Sequence, residues 1–469
     1  MKLKIMSEMK VLTILSGVLS FFFTVSSCSK EGEPDLSEEG TNEWIYNTMK
    51  SYYLWYEDIP ARESLNFSQS ADKFFDSLLS DRDGVKFGDG WLTFSRIEKK
   101  REATKSIDET DSYGFDLATY KDVKTANYYA WVLYVLPGSP AADAGLKRGD
   151  WVIAAGADAP NVKNVSTFLN GGATTFLIAK FENGRFVTDR KIDIAASRAV
   201  ADTPFLKDSV YSVNGGNVGY LVYNTFSSGP DDKSNAYDEQ MKQVFARFKS
   251  QHVTDFVLDL RYNQGGLVTC AQLLSSFLAP ASALGQTFCS LTYNDRHEKE
   301  SRVLNYYKNS EISNNNLDLH RIFILTGEMT ASASEAVINC LIPYMGRSAI
   351  TLIGSKTVGK TVGSVTFGTN EKYGWLLHPI VLRVYNAQMK ADYANGFSPD
   401  IPINELVTSN KMYPFGDTRD LLLNAAMAQI TGQVNKPAVF ESERSNSLKL
   451  KLVSPGLDRK TKGLIENLE

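Results

Sequence analysis

The feature that most constrains this chain is the stretch from His320 to Phe367. An apolar run, Ile322 to Leu325, stops at Gly327. Small residues follow (Thr330, Ala331, Ser332, Ala333, Ser334), then an apolar pattern at helical spacing (Val337, Ile338, Leu341, Ile342). This order predicts strand, tight turn and helix. The free N–H groups of the first helical turn then point to where negative charge can be stabilised, and Ser332 is placed as a nucleophile for a carbonyl. The plainer alternative is that Ser332 or Ser334 caps the helix, with Glu335 as an ordinary first-turn acid.

A serine nucleophile needs a base, and the Gly-bounded segment Val358 to Gly363 supplies Lys360. A lysine acts as a base only when neutral. Bringing its pKa from about 10.4 to near 7 costs about 4 kcal/mol, and burial among uncharged neighbours is the way to impose that cost. Lys356 is the rival, with a solvated turn as its plainer role. A conventional serine–histidine hydrolase using His297 or His378 is a further alternative.

The runs TASASEA and GSKTVGK resemble the catalytic region of the carboxyl-terminal processing (tail-specific) proteases, a family of Ser/Lys peptidases. The resemblance implies Ser332 as nucleophile and Lys360 as general base. It also implies an oxyanion hole made of the Ala333 amide and one from the DLRYNQGG segment, where counting does not separate Gly265 from Gly266. Many relatives carry a Gln four residues after the lysine. This chain has Ser364 there, the candidate for orienting the amine. The resemblance further implies an α/β multidomain chain: a small N-terminal helical domain, a β-rich PDZ domain, and a mixed α/β serine-peptidase core resembling the ClpP/crotonase-like fold.

With 469 residues and 43% apolar composition the chain can bury several cores. A net charge of −4, with no basic block, argues against nucleic-acid binding. The first 28 residues read as a targeting segment. Lys2, Lys4 and Lys10 precede an apolar run ending in Val25, Ser26, Ser27 and Cys28, a tetrapeptide that resembles a bacterial lipobox with Cys28 as the acylated residue. Met9 is an alternative start, and an uncleaved anchor or an ordinary signal peptide are alternative readings of the segment. The expected place is the envelope of a Gram-negative bacterium, lipid-anchored at the outer membrane on its periplasmic side or at the cell surface. Residues 29–41, polar and acidic, read as a tether.

Residues 42–108 are expected to form the helical domain, with Trp44, Ile45, Met49 and Tyr52 on one helix and Phe74, Phe75, Leu78 and Leu79 on the next. Asp81, Asp83 and Gly84 hint at a calcium loop, but no downstream Glu completes it and a turn is the better reading. Residues 111–198 hold a strand-like WVLYVL and the segment PGSPAADAGLKRGDW, which resembles a PDZ domain. Tyr113, Gly114 and Phe115 match its carboxylate-binding loop, where consecutive backbone N–H groups can hold a peptide terminus beside an exposed strand edge. A β-domain without a ligand is the alternative. The catalytic domain is expected over 205–432, with a tail or short strand over 433–469.

Asp259 and Arg261 are expected to pair structurally. Cys270 and Cys289 are a possible bridge, with buried free thiols for these and Cys340 the alternative. His252, His297, His320 and His378 are scattered without a zinc pattern, and neither metal nor cofactor is expected. Substrates are expected to be unfolded proteins or C-terminal segments. The alternative is a surface lipoprotein that binds peptides without cleaving them.

Overall fold

The computed structural model describes residues 35–87, 90–100, 109–160, 164, 168–182, 185–231, 233–370, 372–408, 411–433, 450–454 and 464–466. Cys28 and the expected leader lie outside them. The first helix, α1 (Glu38–Tyr52), starts inside the stretch expected to be a tether. Ser37 caps it by accepting the Gly40 N–H at 3.1 Å, and Glu38 and Glu39 sit at its positive end. Acidic composition hid an N-cap signature. Helix α2 (Ala71–Asp76) packs on α1 through Phe74 and Phe75. This unit is not wholly helical: β1 (Gly84–Phe87), β2 (Gly90–Thr93) and β3 (Arg96–Lys99) follow. At the turn into β1, Asp83 is fully buried and accepts bonds from the Tyr53 hydroxyl (2.8 Å) and the Ser95 amide (3.0 Å).

The next unit is β-rich: β4 (Glu109–Ser112), β5 (Phe115–Asp122), β6 (Tyr128–Val135), a short α3 (Pro140–Asp143), β7 (Trp151–Ala155), β8 (Thr174–Glu182), β9 (Arg185–Ile194) and β10 (Arg198–Ala201). Strands β5 to β9 lie side by side in chain order, all antiparallel, and β10 closes back on β4. Stacked Trp131 and Trp151, with ring centroids 4.7 Å apart, anchor one face.

The remainder builds the core in the order β11 (Phe205–Val213), β12 (Gly216–Tyr223), α4 (Ala236–Ser250), β13 (Val253–Asp259), α5 (Val268–Leu278), β14 (Thr287–Tyr293), β15 (Arg302–Asn305), β16 (Ile322–Thr326), α6 (Ala333–Met345) and β17 (Ile350–Gly354). Then come β18 (Val362–Val365), β19 (Trp375–His378), β20 (Ile380–Asn386), β21 (Ile401–Pro402), α7 (Glu405–Thr408), α8 (Leu421–Thr431), β22 (Leu450–Ser454) and β23 (Leu464–Glu466). The main sheet runs β11-β12-β13-β16-β17-β21, parallel from β12 onward. Helices α4, α5 and α6 cover one face and α8 the other, so its central strands are buried on both sides and read as continuous apolar runs. A second sheet, β15-β14-β20-β18-β23, lies beside it.

The N-terminal unit is fused to the core: β3 pairs with β19, and Ile45, Phe74 and Phe94 share a cluster with Val362, Leu377 and Ile380. Cys270, Cys289 and Cys340 are buried, and Cys270 and Cys289 are not joined in the possible bridge. Among the described residues no helix is long and apolar enough to cross a membrane.

Candidate active site

Strands β13, β16 and β17 are neighbours, and each delivers one part of the site beyond its carboxyl end, where an open parallel sheet leaves a crevice. Gly265 and Gly266 follow β13, Ser332 follows β16 and Lys360 follows β17.

Ser332 precedes α6 with φ 60° and ψ −111°. That left-handed backbone costs a non-glycine residue on the order of 1–3 kcal/mol. Ser332 does stand at the N-cap, with Glu335 reaching back to its N–H as in a capping box, but its backbone is not the extended one of an ordinary cap. Ser334 is not the cap, and its hydroxyl donates to the Asn263 carbonyl at 3.0 Å. What holds the turn is Glu335. One of its oxygens, Oε2, accepts the Ser332 N–H (2.8 Å) and the Lys360 N–H (2.9 Å), while Oε1 accepts the Thr357 hydroxyl and the Gly359 N–H, both at 2.6 Å. The backbones of Ser332 and Lys360 are thus no further apart than two hydrogen bonds laid end to end. Glu335 is fully buried, and burial pushes its carboxyl up to about 7 against the pull of these four donors. Read from sequence it was only a first-turn acid.

Lys360 is 2% exposed, whereas Lys356 is exposed. Among the described residues its Nζ has no hydrogen-bond partner. Burial, aided by the positive charge of Arg96, lowers the amine to about 7, with Asp83 and Glu335 pulling the other way. Nζ lies 5.1 Å from the centre of the Phe94 ring. Phe94, Arg96 and Asp83 all belong to the N-terminal unit, and no local signal in the sequence ties them to this lysine. The expected orienting residue, Ser364, is buried in β18, but it makes no hydrogen bond to Nζ. That expectation is corrected: the wall from the N-terminal unit surrounds the amine instead.

Gly265 sits against Ser332 so closely that a Cβ there would meet the Ser332 Cβ at 3.0 Å and the Ala333 nitrogen at 3.2 Å. Its amide donates to Asn263 Oδ1 at 2.8 Å. At Gly266 a Cβ would meet the Phe226 carbonyl oxygen at 2.1 Å. No internal acceptor is found for the Gly266 or Ala333 amide among the described residues. Asn263 organises the loop: its side chain also donates to the Tyr223 carbonyl (2.8 Å), and its own carbonyl accepts the Ala331 N–H (3.2 Å).

Both histidine alternatives are occupied elsewhere. His297 uses its ring nitrogens on Ser51 (2.9 Å) and Glu300 (2.6 Å), and His378 uses its own on Thr366 (3.0 Å) and Glu98 (3.1 Å). No cluster of metal-ligating side chains occurs among the described residues.

The Asp259–Arg261 pair is present at 2.7 Å within a larger buried cluster. Arg261 also meets Glu405 (2.7 Å) and Asp420 (2.8 Å), and Arg148 of the β-rich unit reaches the same two acids at 2.9 and 3.3 Å.

Tyr113, Gly114 and Phe115 stand before and at the start of β5, on a loop with Gly114 at φ +80°. In this structure its amides are engaged internally: Tyr113 donates to the Leu169 carbonyl (2.7 Å) and Gly114 to the Ser112 hydroxyl (2.8 Å). The row of unpaired donors expected there is not free.

Comparison with known proteins gives a consistent picture. Residues 217–403 match the model of peptidase family S41, and residues 40–96 match that of the peptidase S41 N-terminal domain. A crystal structure of a Bacteroides fragilis protein assigned to the S41 proteases superposes with a TM-score of 0.72 at 36% identity, covering 84% of this chain and 98% of that one. A probable CtpA-like serine protease of Staphylococcus epidermidis is 24% identical over 479 residues, covering 96% of this chain and 85% of its own. A carboxyl-terminal-processing protease of Picosynechococcus sp. is 27% identical over 306 residues, covering 64% of this chain and 66% of that protein.

Proposed function

This chain belongs to peptidase family S41 and is a serine-type peptidase of the carboxyl-terminal-processing kind, and on that footing we propose that it cleaves unfolded proteins or C-terminal segments with a Ser332/Lys360 dyad. The observation that carries the dyad is the buried Lys360 amine, which has no hydrogen-bond partner at Nζ among the described residues and is tied through Glu335 to the backbone of Ser332, with burial lowering it to about 7. Neutral Nζ takes the hydroxyl proton as Oγ attacks the scissile carbonyl. The Ala333 amide and an amide of the Gly265–Gly266 pair stabilise the oxyanion. The lysine then protonates the leaving amine, and an acyl-enzyme remains. Water, deprotonated by the same lysine, releases the acyl group.

The β-rich unit, in this proposal, is a PDZ domain that captures the substrate by adding it as a strand beside β5. Its support is the antiparallel sheet that starts directly after the Tyr113–Phe115 loop. The core resembles the ClpP/crotonase-like arrangement in its parallel sheet with a nucleophile turn at the strand ends. Lipid attachment at Cys28 in a Gram-negative envelope rests on the lipobox-like sequence alone, and metabolic labelling with a fatty-acid analogue, lost in Cys28→Ala, tests it. A fluorophosphonate probe is expected to label Ser332 and to fail on Ser332→Ala. A folded wild-type chain that neither labels nor cleaves unfolded casein would favour the peptide binder.

A further inference from the structure

The last part of the chain, β22 and β23, adds a strand to two sheets, and both edges matter to the site. Strand β22 pairs antiparallel with β5, with Leu450 opposite Asp122, Lys451 opposite Lys121 and Leu452 opposite Tyr120. The alternation of Leu450 and Leu452 with exposed Lys451 and Val453 fits this: the leucines pack on the cluster that holds Tyr120 and Trp131. Strand β23 pairs in parallel with β18, with Gly363 opposite Leu464, Ser364 opposite Ile465 and Val365 opposite Glu466. It also lies against α5. Strand β18 begins two residues after Lys360, and α5 begins two residues after Gly266. The backbone of β23 therefore runs between the strand that follows the base and the helix that follows the oxyanion glycines.

A strand edge pairs with one partner at a time, because each N–H and C=O is used once. An extended peptide substrate has only backbone pairing of this kind to offer at such edges. We propose that β22 and β23 act as an intramolecular pseudo-substrate: they occupy the edge of β5 and the edge of β18, and an incoming peptide must displace them. This rests on the peptidase reading for the meaning of the second edge. The tethered segment competes at the high effective concentration of an attached ligand, so the fraction of molecules open to substrate is small and apparent affinity falls in proportion.

The test separates binding from chemistry. In a Ser332→Ala background, a fluorescent synthetic peptide of residues 446–469 is expected to bind a chain truncated after Gln433 on the order of tenfold more tightly than the full chain. In the active background the same truncation is expected to lower KM for unfolded casein by a similar factor, with kcat little changed. Equal binding by the two chains, or no binding by the truncated one, overturns the proposal. Hydrogen exchange on the intact Ser332→Ala chain decides even if the truncated chain misfolds. Amides of β22 and β23 are expected to lose protection on saturation with unfolded casein, and protection retained there overturns the proposal. Failure of fluorophosphonate labelling would sink the peptidase reading and leave these binding results standing.

Discussion

Two buried basic side chains sit beyond the carboxyl ends of β13 and β17, the strands on either side of β16, and are treated in opposite ways. The Arg261 guanidinium is surrounded by Asp259, Glu405 and Asp420, and Arg148 shares the last two acids. The Lys360 amine has no hydrogen-bond partner at Nζ among the described residues, an aromatic ring on one side and a second cation, Arg96, in its surroundings. A guanidinium stays charged, so its burial demands carboxylates. An ammonium can lose its proton, so its burial without a partner yields a base. The difference teaches that one cluster joins two units of the fold while the other leaves a buried amine able to give up its proton.

The largest effect that would sharpen this contrast is on catalysis. Lys360→Ala and Ser332→Ala are each expected to lower kcat/KM for casein by about a thousandfold or more, with unchanged circular dichroism. Next is Arg261→Leu, which leaves Asp259 and Asp420 short of a partner in the interior. It is expected to cost about 3–5 kcal/mol of stability in urea unfolding, and a loss below about 1 kcal/mol would break the comparison. Replacing the amine by an apolar chain of similar length should do the reverse. Lys360→Met is expected to be inactive yet more stable than the parent by on the order of 1–3 kcal/mol at pH 7. The folded chain binds fewer protons at Lys360 than the unfolded chain between about pH 7 and the ordinary lysine value. The parent therefore gains stability as pH rises through that window, and the advantage of Lys360→Met shrinks there. The smallest effect concerns Arg96. Removing its charge in Arg96→Gln is expected to raise the lysine pKa and shift the rising limb of the pH–rate profile to higher pH by a few tenths.

The reach of the sequence follows the same divide. The strand–turn–helix around Ser332 and the Gly-bounded segment of Lys360 were legible because each is a local pattern: an apolar strand, small residues and a helical period for the first, and flanking glycines for the second. Gly359 shows why, since a Cβ there would lie 2.4 Å from the Ala394 carbonyl oxygen. The wall of the lysine pocket was not legible, because Asp83, Phe94 and Arg96 come from the far end of the chain and reach Lys360 through the pairing of β3 with β19 and the apolar cluster the two units share. Glu335 carried an N-terminal helix signal that was real but incomplete. Its other three donors come from Thr357, Gly359 and Lys360, a loop that no helical pattern connects to α6. The departure at Ser364 pointed to the right question, what orients the amine, and to the wrong residue. The partnership of Arg148 with Glu405 and Asp420 was invisible because it joins separate units.

The central claim is that Lys360 is a neutral base near pH 7, and the pH dependence of fluorophosphonate acylation at Ser332 measures it directly. The predicted rate rises through a single ionisation near pH 7 and is lost in Lys360→Ala. A rate limb near the ordinary lysine value, or acylation of Lys360→Ala at the parent rate, would contradict it.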